Sequence, residues 1–145
     1  MHITLGKKSI AVSIIIFCVF VLAGCFERNI EKEFSDTFEI DTDVEKFTFT
    51  KVFDNYELGE GTALYMIKID ETEIGAFMAW DNLPVSEEAE CFVYANKHYA
   101  QLPEVLNGKW KYVDRNKTGS TNAIHASLCV YDIDNMVAYY LTGDT

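Results

Sequence analysis

His125, Ser127 and Cys129 alternate along one short run, and alternation of this kind puts all three side chains on one face of a β-strand. A thiol or hydroxyl beside an imidazole is the raw material of nucleophilic catalysis. The spacing argues against that use here. Residues i and i+4 of a strand stand about 13 Å apart, whereas a general base must come within about 3 Å of the proton it takes. His98, in a helical pattern earlier in the chain, is the other imidazole that could approach Cys129. The expected arrangement is a cysteine buried in a sheet with histidines near its edge, with no catalytic set and no enzymatic activity.

Asp132-Ile133-Asp134-Asn135 places oxygen ligands at a spacing close to that of a calcium loop. An EF-hand continues with a third ligand, a central Gly and a distal Glu. Met136 and Val137 stand where that loop would go on, so the segment reads as a hairpin turn rich in Asp and Asn, with no metal and no cofactor expected. There are no glycine-rich phosphate loops and no metal-spaced clusters of His or Cys. Asn116-Lys117-Thr118 matches a glycosylation sequon, which is not read as a site here. The aromatic residues could line a sugar or lipid pocket, but Phe47, Phe49, Tyr65 and Trp80 fall where core residues belong.

The N-terminus carries a different kind of chemistry. Lys7 and Lys8 precede Ser9–Leu22, an uncharged run rich in Ile, Val and Phe, which is the order of a secretory signal. Ala23 and Gly24 leave the backbone uncrowded for a peptidase, and Cys25 follows. Leu22-Ala23-Gly24-Cys25 resembles the lipobox of bacterial lipoproteins. That resemblance covers residues 1–25 and implies that 1–24 is a cleaved signal peptide and that Cys25 is lipidated on sulfur to become the new N-terminus. Its diacylglyceryl group, with an N-acyl chain, meets the need for more than one acyl chain in stable anchoring. The competing reading is an uncleaved span over Ser9–Phe26, since a transmembrane helix takes about 20 apolar residues. Both readings keep Lys7 and Lys8 inside and the rest outside the cytoplasm.

All 23 acids follow Gly24, as do ten of the twelve bases, so the net charge of −11 becomes −13 in the processed chain. Such a surface repels nucleic acid and anionic headgroups and suits a basic partner. Cys18 leaves with the signal and Cys25 goes to lipid, which leaves Cys91 and Cys129. In an oxidising compartment they could form a disulfide worth about 4 kcal/mol on the chain-entropy model, or stay as two buried thiols. A bridge would require the helix carrying Cys91 to pack on the sheet face that carries Cys129.

The elements that would position these groups can be read from periodicity. Phe26, Ile30, Phe34 and Phe38 recur every fourth residue within 25–43, an acidic tether that could form a short helix. Strands are expected from Lys46, where Phe47, Phe49 and Phe53 mark one face, over Thr62–Asp70, and over Ile74–Trp80, the last two as a hairpin. Ser86 then opens one main helix over about 86–102, with Glu87, Glu88 and Glu90 in its first turn and Cys91, Phe92, Ala95, Tyr99 and Leu102 on its apolar stripe. Lys109–Arg115, Ala123–Tyr131 and Met136–Thr142 complete the strands. The expected fold is a single α+β domain over 44–145, a largely antiparallel sheet of about five to six strands with that helix on one face. The element order is loosely similar to small α-β sandwiches of periplasmic lipoproteins such as the PsbP-like or Mog1-like group, with no shared motif.

Location, charge and the lack of a catalytic set together lead to one expectation. The chain should be a non-catalytic, lipid-anchored domain of the bacterial cell envelope that binds a protein or envelope component, as a complex subunit, an inhibitor or an immunity-type protein. The alternative is a carrier or sensor of a small molecule, with an aromatic pocket between helix and sheet.

Overall fold

The computed structural model describes residues 28–43, 45–57, 59–116 and 125–144. The lipobox-like stretch with Cys25, the end of the sequon and residues 117–124 lie outside them. Glu31–Thr145 forms one compact unit. Its elements are α1 (Ile30–Phe38), β1 (Phe47–Asp54), β2 (Gly61–Ile69), a 3₁₀ turn (Glu71–Glu73), α2 (Gly75–Met78), β3 (Asp81–Asn82), α3 (Glu87–Asn96), β4 (Gly108–Asp114), β5 (His125–Asp132) and β6 (Val137–Asp144).

The strands form one six-stranded sheet in the order β1-β2-β6-β5-β4-β3, with every neighbouring pair antiparallel. The α+β class and the antiparallel sheet expected from the sequence are present. The last strand does not finish at an edge: β6 slots between β2 and β5, with Leu64 opposite Leu141 on one side and Leu128 opposite Leu141 on the other.

Both faces of the sheet are covered. On one, α3 packs Ala89 and Phe92 over Leu64, Ala126, Leu128, Val130 and Leu141. On the other, α1 lays Phe34 and Phe38 on Phe49 and Tyr140, with ring centroids 5.2–5.6 Å apart, and Phe38 reaches Trp80. Phe34 is 0% exposed and Phe38 2%. Residues 30–38 of the stretch expected to be a tether are therefore packed on the core. The four-residue spacing of Ile30, Phe34 and Phe38 was a helix signal, and the apolar sheet face beneath it is what stabilises so short a helix.

Three further expectations are corrected. Ile74–Trp80 is not a strand hairpinned to β2, because both edges of β2 are taken by β1 and β6. The chain turns helical instead: Asp70 accepts hydrogen bonds from Thr72 N and Oγ1, and Phe77 is buried against Tyr131. Phe53 does not share a face with Phe47 and Phe49. A bulge between Lys51 and Phe53 leaves Val52 without a register partner and moves Phe53 to the α3 side, opposite Leu64, as one extra residue must.

The helix opened by Ser86 begins as expected, with Ser86 Oγ accepting from Ala89 N at 3.3 Å, but it ends at Asn96 rather than near 102. Its buried residues are Ala89, Phe92 and Asn96, while Cys91 is exposed and so is Tyr99. The stripe is rotated because the buried position is polar. Asn96 Oδ1 accepts from Thr62 Oγ1 at 2.6 Å and its Nδ2 donates to Phe92 O at 2.9 Å. A satisfied amide can be buried at little cost, and a side chain that bonds its own backbone also favours ending a helix.

Candidate functional site

Two places gather chemistry. The first is a polar network at the end of the α1 face. Asp144, near the end of β6, accepts hydrogen bonds from Tyr56 OH at 2.7 Å, Arg115 Nη2 at 2.9 Å and His125 Nδ1 at 3.0 Å. Thr142 Oγ1 accepts from the same Arg115 nitrogen at 2.9 Å and from Ser127 Oγ at 3.3 Å. Tyr140 OH donates to Glu33 Oε1 of α1 at 2.8 Å. Burial, followed by the charge of Glu33, pushes the Tyr140 hydroxyl far above its ordinary range.

Alternation places His125, Ser127 and Cys129 on this face, as the spacing required. What surrounds them is structural. His125 directs Nδ1 to Asp144 rather than to Ser127, and Ser127 and Cys129 are 0% exposed in the packed face under α1. Burial holds the Cys129 thiol well above its usual value, so the neutral form dominates. Activating a thiol takes the opposite environment, an electropositive and partly open one.

Cys91 and Cys129 are both free, and the sheet separates them. Leu128 and Val130, which flank Cys129, face α3, so Cys129 faces α1 and cannot meet a residue on the outer side of α3. The helix packs on the opposite face from the one a bridge demanded, and the possible Cys91–Cys129 disulfide is not formed. His98 follows the same helix and is likewise on the wrong side of the sheet for Cys129.

The Asp132–Asn135 segment is the hairpin turn expected. Asp132 Oδ1 accepts from the amides of Asp134 and Asn135, and its Oδ2 accepts from Asn135 Nδ2 at 2.8 Å. Met136 closes the turn at φ 52°. Among the described residues no group of three or more His, Cys, Asp or Glu is placed to hold a metal ion.

The second place is a cleft of about 440 Å³ between α3, the segment 102–105 and the sheet. Leu128 and Val130 form its floor, Val85, Val93, Leu102 and Val105 its sides, and Glu90, Tyr94 and Lys97 its rim along α3. Glu90, Val93, Tyr94 and Lys97 follow i, i+3, i+4, i+7 spacing, so one stripe of the helix presents them together. The opening forms because α3 stops at Asn96 and the chain then returns through Leu102–Val105 at a distance from the helix, leaving a gap between two walls. Its volume falls in the range of ligand clefts, and its lining is aliphatic with a single aromatic, Tyr94.

The cleft lay beyond reach of sequence reading. Its residues come from four separate segments, and Val93 and Lys97 carried no signal of their own. Pro103 was the one local clue, since it forbids a continued helix through this stretch. Among the described residues no helix is long and apolar enough to cross a membrane. No protein-family model, no curated protein and no solved structure matches this chain.

Proposed function

We propose that this chain is a lipid-anchored, extracytoplasmic domain that acts by binding rather than by catalysis, and that the α3 cleft is its binding element. The observation that carries the reading is the cleft itself, an apolar opening on the face away from the polar network. The groups best suited to chemistry are engaged elsewhere: His125 is held by Asp144, and Ser127 and Cys129 lie under α1.

The lipobox at Leu22–Cys25 supports the location. Growth of cells expressing the full chain with an alkyne fatty acid should label it, and Cys25→Ala should abolish the label. Crosslinking of the anchored protein in its own membranes should capture a reproducible partner; failure of both would end this reading.

A second reading, a carrier of a small apolar molecule, draws on the cleft volume of about 440 Å³. Native mass spectrometry of the detergent-extracted protein distinguishes the two, because a carrier retains a small ligand and a docking domain does not.

A further inference from the structure

We propose that the α3 cleft is a docking surface for a basic segment of a protein partner, which inserts an apolar side chain between α3 and the 102–105 wall; this rests on the binding reading above. Two large apolar residues stand in water here, Tyr94 of the cleft rim at 68% exposure and Leu106, the residue after Val105 of the facing wall, at 86%. An apolar cleft flanked by exposed large side chains is the composition of an interface centre, where an anchor residue fills a pocket and its neighbours exclude water.

The rim selects the class of occupant. Glu90 lines the cleft, Glu87 lies three residues earlier on the same stripe of α3, and Glu104 stands exposed between Pro103 and Val105 of the facing wall. Lys97 is the one cation among the described lining residues, and its ammonium rests 3.5 Å from the centroid of the Tyr94 ring. Three carboxylates against one occupied ammonium attract lysine and arginine beside the anchor. They repel a fatty-acid carboxylate, an anionic headgroup and a second copy of this chain, whose net charge is −11.

The test uses the full lipidated chain in neutral detergent and three sets of short synthetic peptides centred on Leu or Phe, flanked by Lys, by Ser or by Glu. Lys-flanked peptides should bind about tenfold or more tighter than Glu-flanked ones, and added salt should narrow the gap. Glu90→Lys with Glu104→Lys, two exposed positions where charge reversal leaves the fold intact, should remove that preference. A Val52→Lys control on the far edge strand should leave it in place.

Equal binding of the Ser- and Lys-flanked sets, or no effect of the double charge reversal, overturns the proposal. Displacement of a bound fluorescent fatty acid by none of the peptides assigns the cleft to a small amphiphile, which also overturns docking while the binding reading survives. If neither peptides nor fatty acid enter, both fall. Labelling of Cys25 in the same preparation reports separately on the anchor.

Discussion

Replacing Phe34 by Ala tests whether α1 belongs to the folded domain. The ring is fully buried and meets Phe38, Phe49 and Tyr140 at centroid distances of 5.0, 5.6 and 5.2 Å. Truncating a buried Phe to Ala costs about 3–5 kcal/mol, the lost transfer energy plus the cavity left behind. That is a large part of the roughly 5–15 kcal/mol holding a domain of this size together. At about 4 °C per kcal/mol for a chain this long, the melting temperature should fall by about 12–20 °C. Urea titration followed by tryptophan fluorescence reads the same loss, since Trp80 packs on Phe38 at 5.4 Å and should report the release of α1. Lys32→Ala is the control, because its ion pair with Asp36 on the outer side of α1 is exposed and exposed pairs contribute about 0–1 kcal/mol. A Phe34→Ala protein that melts within about 2 °C of the parent, like the Lys32→Ala control, would refute the placement of α1 on the sheet and return residues 30–38 to the role of a tether.

Three other outcomes follow from the same packing. Alkaline pH should unfold the domain: Cys129 and Tyr140 both have folded pKa values raised by burial above their ordinary 9.0 and 10.0, so the unfolded chain loses these protons first and stability, complete below about pH 9, declines as pH rises through 9 and 10. Cys129→Ala should delay the onset in a pH-jump fluorescence titration, and an unchanged profile counts against burial of the thiol. Alkylation of the unreduced native protein should modify Cys91 at once and Cys129 only after denaturant is added; recovery of the two as a bridged peptide pair contradicts their separation by the sheet. Asn96→Ala strands the buried Thr62 hydroxyl and should cost about 1–3 kcal/mol, whereas Thr62→Val combined with Asn96→Leu, which removes both polar partners, should recover much of that loss by urea titration.

The sheet was legible because its strands alternate. His125–Asp132 and Val137–Asp144 carry the period of two that a pleated surface imposes, and the turn between them contains the Asp and Asn that such turns use. Ser86 announced the start of α3 through the chemistry of orphan amides. Legibility ended where a residue's role depends on a partner distant in sequence. Asn96 was not among the residues read as the apolar stripe, and its burial depends on the hydrogen bond from Thr62. Ile74–Trp80 looked like a strand because nothing local reveals that β6 will occupy the edge of β2. Phe53 changed face through the bulge at Val52, which the run of alternating residues does not disclose.

The candidate site divides in the same way. The sequence by itself determined most of the strands, the start of α3, the acidic charge, the lipobox-like N-terminus and the sharing of one strand face by His125, Ser127 and Cys129, because each of these follows from composition or from contacts within a few residues. Only the tertiary structure decided which face each helix covers, and with it that Cys91 and Cys129 stand on opposite sides of the sheet. It also decided that His125 turns to Asp144 and that an apolar cleft opens beside α3. Those outcomes depend on which strands pair and on how side chains remote in the chain fill a common volume, a many-body packing condition that a single sequence does not display locally.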